Sequence, residues 1–188
     1  MTLTIDQLKS YLAEITTSSL KVTPFNKSKI HEGNSFELTQ FTALDAFDIA
    51  APLTFEVTTP NDSLLRFYLL VDAASAQQSF LEVFEDDGDI THFNVTGGVI
   101  TIPWNRNRGS DRLTTCVVRT GLTVTAATAD VRIFGRLVGG VVGGDYFINA
   151  QNEFILRANT SYLIRLTSFL DDNEGSVGIE IAQHRIKT

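Results

Sequence analysis

The feature that most constrains this chain is a strand-like alternation of apolar with polar or small residues, which recurs from Leu20 almost to the last residue. It is clearest near the end, where Val177, Ile179 and Ile181 alternate with smaller or polar neighbours. In a β-strand, successive side chains point to opposite faces of the sheet. A period of two therefore places the apolar residues on one packed face and the smaller or polar residues on the other. The alternation therefore predicts a chain built mainly of half-buried strands.

Eleven segments carry this pattern, and clusters of Gly, Asn, Asp and Pro separate them. The predicted strands are Leu20–Thr23, Ser35–Thr42, Leu53–Thr58, Leu64–Asp72, Ser79–Glu85, Gly98–Ile102, Asp111–Arg119, Asp130–Val138, Glu153–Arg157, Ser161–Phe169 and Ser176–His184. They do not alternate with helices. This arrangement predicts an all-β, antiparallel β-sandwich, and we expect the jelly roll of two packed sheets as its specific form. The single cysteine, Cys116, lies in a strand-like segment, and we expect it to be a buried core residue.

One segment before the first strand shows helical spacing instead. Four aliphatic residues form a single stripe there: Ile5, Leu8, Leu12 and Ile15. The stripe predicts one short N-terminal α-helix, and it divides the chain into a helical arm over residues 1–19 and a β-sandwich domain over residues 20–188. A helix of about three turns needs packing to persist. Two interpretations stay open: the stripe covers its own domain, or it reaches a neighbouring subunit.

Charge and hydropathy bear on the partners of the chain. The formal net charge is −7, so we expect no non-specific binding of nucleic acid or of a membrane surface. No apolar run approaches the ~20 residues of a membrane-spanning helix. The first residues also lack the basic start and apolar stretch of a secretory signal. We therefore expect the protein to fold in the cytoplasm where it is made.

The titratable residues give no recognisable catalytic or metal-binding pattern. His31, His92 and His184 are far apart, and no zinc-ligand spacing is present. No nucleophile elbow occurs either. The acidic run Glu85–Asp89 is interpreted as a solvated turn, with a calcium site formed by its aspartates as the alternative. We expect no enzymatic activity, no catalytic residues, no metal and no cofactor.

The most distinctive local sequence is Pro103–Arg112, a loop that contains tryptophan and three arginines in an acidic chain. Four of its residues are candidates for a subunit contact: Trp104, Arg106, Arg108 and Arg112. Arginine pairs with carboxylates through two parallel hydrogen bonds, and both residue types are enriched in interface hot spots. A solvated loop is the alternative interpretation, and a nucleic-acid contact is a weaker one because a single short basic loop makes a small electrostatic footprint.

Four motifs, in this order along the chain, resemble a family of small capsid decoration, cement or head-fibre-type structural proteins of tailed bacteriophages. The motifs are Ile30–Phe36, Thr58–Pro60, Trp104–Ser110 and Phe154–Arg165. The similarity covers residues 20–180, and the N-terminal helix lies outside it. In such a protein the stripe of that helix is expected to contact the capsid or a neighbouring subunit. The resemblance implies a β-sandwich that is often trimeric and sits on an icosahedral head.

Two functions follow as expectations. The first is a non-enzymatic virion protein that binds the outside of a phage capsid and stabilises it, with the major capsid protein and its own copies, as a homotrimer, for partners. The second is a head-fibre or host-surface domain of the virion that recognises glycans, since jelly rolls also serve as lectins. In both cases the expected location is the virion, on the capsid surface.

Overall fold

The computed structural model describes residues 29–43, 46–86, 93–127, 132–140 and 152–186. Residues 29–31 form a short helical turn, and the rest of the regular structure is β. These ranges contain eleven strands: β1 Ser35–Phe41, β2 Leu53–Thr58, β3 Leu65–Ser75, β4 Ser79–Asp86, β5 Phe93–Ile100, β6 Trp104–Asn105, β7 Val117–Ala127, β8 Arg132–Val138, β9 Asn152–Leu156, β10 Ser161–Ser168 and β11 Gly175–Arg185.

The strands form two antiparallel sheets. The order is β6-β1-β11-β3-β9 in the five-stranded sheet and β5-β7-β2-β10-β4-β8 in the six-stranded one. Apolar residues from both sheets meet in one core, which includes Phe55, Val71, Tyr162 and Ile179. The prediction of an antiparallel β-sandwich is therefore confirmed.

The pairing of the strands is nested along the chain. β1 pairs with β11, β2 with β10, β3 with β9 and β4 with β8. The pairs β3–β11 and β4–β10 then join these four pairs into the two sheets. Strands β5, β6 and β7 form an insert between β4 and β8. The insert extends both sheets on the same side, because β6 pairs with β1 and β7 pairs with β2.

Cys116 lies in the core, as predicted, with only 6% of its surface exposed. Burial raises the pKa of its thiol from the ordinary value of 9.0 to about 12, because the apolar surroundings disfavour the thiolate. A thiol in this state is a poor nucleophile. Cys116 is therefore a small packing residue in this fold.

The predicted strand over Asp111–Arg119 is wrong in its first half, because β7 begins only at Val117 and continues to Ala127. Residues 111–116 are held by side chains instead, for example by the amide N–H of Thr115 donating to Gln183 Oε1 at 3.2 Å. The predicted strand over Gly98–Ile102 also differs, since β5 spans Phe93–Ile100 and passes through Gly97 and Gly98 at positive φ. Glycine allows this bend within a strand. The two glycines therefore lie inside β5, although a glycine pair usually indicates the end of a strand.

Two turns at one end of the sandwich are fastened to each other through Thr59. Its hydroxyl donates to the carbonyl of Arg157 at 2.6 Å and accepts from the amide of Thr160 at 3.0 Å. The amide of Arg157 donates to the hydroxyl of Tyr162 at 2.8 Å. Thr58–Pro60 and Phe154–Arg165, two of the motifs noted above, therefore have a structural role in joining the β2–β3 and β9–β10 connections.

Within the described residues, no helix is long and apolar enough to cross a membrane. The predicted helix over residues 1–19 and the predicted strand Leu20–Thr23 lie outside the described residues.

Candidate protein-binding surface

The loop after β6 is fastened to the turn that precedes β1. Asn105 Nδ2 donates to the carbonyl of Gly33 at 3.0 Å, and Asn107 Nδ2 donates to the carbonyl of His31 at 3.1 Å. Arg112 Nη1 donates to Asn34 Oδ1 at 2.9 Å. These contacts join Ile30–Phe36 to Trp104–Ser110, the remaining two motifs, and they hold the loop in one position.

Arg106 uses its charge within the chain. Its Nη1 lies 2.5 Å from Glu180 Oε2, and its Nε lies 3.5 Å from Glu37 Oε2. The side chain of Glu180 is mostly buried. Both carboxylates project from the outer face of the five-stranded sheet, so Arg106 fixes the loop on that face and is not a freely available cation.

Trp104 and Arg108, by contrast, face outward. Trp104 is 69% exposed, and the guanidinium carbon of Arg108 lies 5.6 Å from the centre of its ring, the arrangement of a cation–π contact. In the part of the chain that the structure describes, Arg108 forms no ion pair with a carboxylate. Of the four residues predicted as a subunit contact, these two are the best placed to meet another molecule.

A groove of about 690 Å³ lies beside Trp104, between the insert and the end of β1. It has the size of a ligand or peptide site. Phe41, which is 79% exposed, lies on its β1 side and Trp104 on the side of the insert. The groove is lined by Glu37, Leu38, Thr39, Phe41, Thr101, Trp104, Asn105, Arg106 and Arg108.

Exposed apolar side chains concentrate in the same β5–β7 insert. Of the fourteen large hydrophobic residues that are exposed in the described part of the chain, six belong to the β5–β7 insert and a seventh is Phe41 at the adjoining edge: Phe41, Val99, Ile100, Ile102, Trp104, Leu113 and Val117. We call these seven residues the insert patch. Large apolar side chains exposed in this number within one segment are typical of protein–protein contacts.

The outer face of the six-stranded sheet carries a second polar site, centred on Glu82. Its carboxylate accepts from Arg165 Nη2 at 2.6 Å and from Arg132 Nη1 at 3.0 Å. The two guanidinium groups also lie over the rings of Phe84 and Phe80. Because arginine stays protonated, both carboxylate oxygens are engaged by fixed cations, and the site is built as a structural ion network.

The arm residues Ile5, Leu8, Leu12 and Ile15 lie outside the described residues, and so do Asp87 and Asp89 of the acidic run. Asp86 ends β4. In the ranges that the structure describes, no three His, Cys, Asp or Glu side chains come together as metal ligands would.

Sequence reasoning missed six members of the insert patch, of which Phe41 is the most exposed: Phe41, Val99, Ile100, Ile102, Leu113 and Val117. Phe36 and Leu38 of β1 point towards the core, whereas Phe41 is out of phase with them and is exposed. The sequence itself indicates the exposure of Phe41, because this residue falls on the polar face of the alternating strand. A phenylalanine in that position is a candidate contact residue.

No protein-family model, no curated protein and no solved structure matches this chain.

Proposed function

We propose that this chain is a non-enzymatic virion structural protein that binds the outside of a phage capsid as a decoration or cement protein and assembles as a homotrimer. The observation that carries the proposal is the insert patch, an exposed apolar surface with an aromatic and cationic centre on an otherwise stiff β body. Trp, Tyr and Arg dominate the binding energy of protein interfaces. Trp104 and Arg108 offer this pair of residue types at the surface.

The nested strand pairing supports a finer statement about the fold. Eight strands that pair first with last, second with seventh, third with sixth and fourth with fifth wrap into the double-sheet jelly roll. We propose that the domain is a jelly roll with β5, β6 and β7 inserted between its fourth and fifth strands. Jelly rolls occur in viral capsid proteins and in lectins, so this fold agrees with the proposal and does not decide it.

The physical role of such a protein follows from linkage. A protein that binds the assembled lattice, and not its separate subunits, stabilises the lattice by mass action. The contact surface must then be held rigidly, because mobile contacts lose affinity when they become ordered. The hydrogen bonds from Asn105, Asn107 and Arg112 to the turn before β1 supply this rigidity.

The test uses one substitution in the insert patch and a matched one at the opposite sheet edge. Ile102 and Ile155 are both largely exposed, but Ile155 belongs to β9, far from the insert in strand order. Wild type should cosediment with empty capsids assembled from the phage's own major capsid protein and should show a trimeric mass by light scattering. Ile102→Lys should lose capsid binding, trimer assembly or both, whereas Ile155→Lys should keep both. Equal behaviour of the two variants would overturn the proposal, and so would a wild-type protein that is monomeric and does not bind capsids.

Glycan recognition is the second candidate function. The observation that favours it is the groove itself, which places two exposed aromatic rings, Phe41 and Trp104, near the carboxylate of Glu37. A glycan array probed with and without chelator tests this function. Trp104→Ala should abolish any binding found there. Binding that survives in this variant would place the glycan site elsewhere.

A further inference from the structure

The edge of β1 is only half covered by its neighbour. β6 pairs with Phe36 and Glu37 alone, whereas β1 continues to Phe41. Among the described residues, no strand pairs with Leu38–Phe41 on the side away from β11. An uncovered sheet edge is a template for another strand, and here it borders the groove beside Trp104.

Hydrogen bonds at the two ends of β1 show which of its residues face β11. The carbonyl of Asn34 accepts from the amide of Gln183 at 2.9 Å, and the amide of Thr42 donates to the carbonyl of Gly175 at 3.0 Å. Backbone groups of successive strand residues alternate in direction. The even-numbered residues of β1 therefore turn their amides and carbonyls towards β11.

The odd-numbered residues turn theirs to the other side. The carbonyl of Ser35 confirms the phase, since it accepts from the amide of Arg106 at 2.9 Å, in the loop after β6. By the same alternation, Thr39 and Phe41 direct their amides and carbonyls into the uncovered edge. These are the four backbone groups that an added strand would use.

The side chains at this edge complete a mixed apolar and cationic slot. Trp104 lies directly opposite Glu37 in the β6–β1 register, so a residue added opposite Thr39 would lie between Trp104 and Phe41. The charge of Arg106 is compensated by Glu37 and Glu180. Arg108 forms no ion pair among the described residues, and the groove lining carries two arginines against one glutamate. A carboxylate of an acidic guest therefore has a cation to pair with.

We infer that the edge of β1 at Leu38–Phe41 captures an extended, acidic segment of a partner protein as an additional strand. An apolar side chain of that segment packs between Trp104 and Phe41, and a carboxylate pairs with Arg108. Main-chain hydrogen bonds then supply affinity, and the alternating side chains supply selectivity. The inference rests on the proposed function in taking a protein as the partner. A second copy of this chain fits less well, because pairing two β1 edges across a twofold axis uses the same cationic surface on both sides.

Trp104 is the one tryptophan of the sequence, so its fluorescence reports on this site. The probe is the peptide acetyl-Thr-Glu-Thr-Leu-Thr-Glu-Thr-amide, which carries leucine and both carboxylates on one face of a strand. It should shift the Trp104 emission to shorter wavelength with a saturable curve. The counterpart with lysine for glutamate should bind at least ~10-fold more weakly, and added salt should weaken the acidic peptide. Two further versions of the acidic peptide carry N-methyl groups on alternate backbone amides, one on the odd-numbered and one on the even-numbered residues. Only the version whose methylated amides face β1 should lose binding.

Two protein variants test the same contacts from the other side. Thr39→Pro removes an amide that faces the open edge and leaves the β11 ladder intact, while Thr39→Ala removes only the side chain. Thr39→Pro should abolish peptide binding and Thr39→Ala should keep it. Arg108→Gln should weaken the acidic peptide ~10-fold and should not weaken the lysine peptide, because it removes a cation that attracts glutamate and repels lysine. If Thr39→Pro does not fold, judged by circular dichroism, the N-methylated peptides decide the question alone.

The outcomes separate this inference from the proposed function. Peptide binding without capsid binding would leave the strand capture standing and remove the decoration role. Capsid binding that Thr39→Pro leaves unchanged, together with no response to the peptides, would remove the strand capture and leave decoration standing. A Trp104 response to oligosaccharides but not to the acidic peptide would also overturn the strand capture.

Discussion

Nη1 of Arg106 lies 2.5 Å from Oε2 of Glu180, and this ion pair fixes the loop after β6 to the outer face of β11. The same loop presents Arg108, two residues later, to solvent beside Trp104. Neighbouring arginines of one short motif therefore have different roles: Arg106 holds the loop in place and Arg108 is available to a partner.

The first prediction compares these two arginines. Arg106→Gln should lower the free energy of unfolding by about 1 kcal/mol, because it leaves Glu180 largely buried without its cation while the partial exposure of the pair limits the loss. Arg108→Gln should change stability by less than about 0.5 kcal/mol. Urea denaturation of both variants measures the difference. Equal losses would contradict the division of roles.

The second prediction concerns Gly33, which has φ +69° and faces Ser110 so closely that a Cβ would overlap its hydroxyl. Gly33→Ala should cost about 2 kcal/mol or more, because it adds a steric clash to the strain of a positive φ. Gly97→Ala is the matched control. Gly97 has φ +70° with nothing within 4 Å of the added Cβ, so it should show the strain alone, about 1 kcal/mol. Equal melting curves for the two variants would show that the loop yields to the extra atom.

The third prediction concerns Asn173, which is buried and joins three serines. Its Nδ2 donates to Ser75 Oγ at 3.0 Å and Ser168 Oγ at 2.9 Å, and reaches Ser79 Oγ at 3.3 Å, while its Oδ1 accepts from the amide of Gln77 at 2.9 Å. Asn173→Ala should destabilise the fold by about 3 kcal/mol, because several buried groups lose their partner at once. The exposed Asn61 offers the control Asn61→Ala, for which chemical denaturation should show almost no change. A small loss for Asn173→Ala would mean that water replaces the amide.

The fourth prediction uses the pKa of Cys116, which burial raises from 9.0 to about 12. The folded protein keeps the thiol protonated while the unfolded chain ionises, so this stability is complete below pH 9 and is lost as the pH rises towards 12. Where only the unfolded thiol is ionised, the free energy of unfolding should fall by about 1.4 kcal/mol per pH unit from this group. Burial also raises the pKa of Tyr162 to about 12, which adds a loss of the same sign.

The variant Cys116→Val removes the contribution of the thiol to the pH dependence and leaves that of Tyr162. Its alkaline denaturation profile should fall less steeply than that of wild type between pH 9 and 12, and the remaining slope should include that of Tyr162. A thiol reagent at neutral pH should modify wild-type Cys116 only under unfolding conditions. Parallel pH profiles, or rapid modification of the folded protein, would show that the thiol is accessible to solvent.

Sequence alone determined the class of the fold, because alternation is a local property. The apolar residues of β2, β10 and β11 identify their own packed faces without knowledge of any partner strand. Burial of Cys116 followed from the same local context. The prediction was wrong at residues 111–116, where a strand-like composition is held by hydrogen bonds to distant side chains such as Gln183.

The roles within the candidate surface were decided only by tertiary structure, because they depend on partners far along the chain. Nothing near Arg106 in sequence distinguishes it from Arg108, and Glu180 makes the distinction from another strand. The uncovered edge of β1 exists because β6 is only two residues long and pairs with Phe36 and Glu37 alone. Local periodicity specifies which face of a strand packs, whereas strand neighbours, and therefore open edges and free charges, are set by contacts that the whole chain makes together.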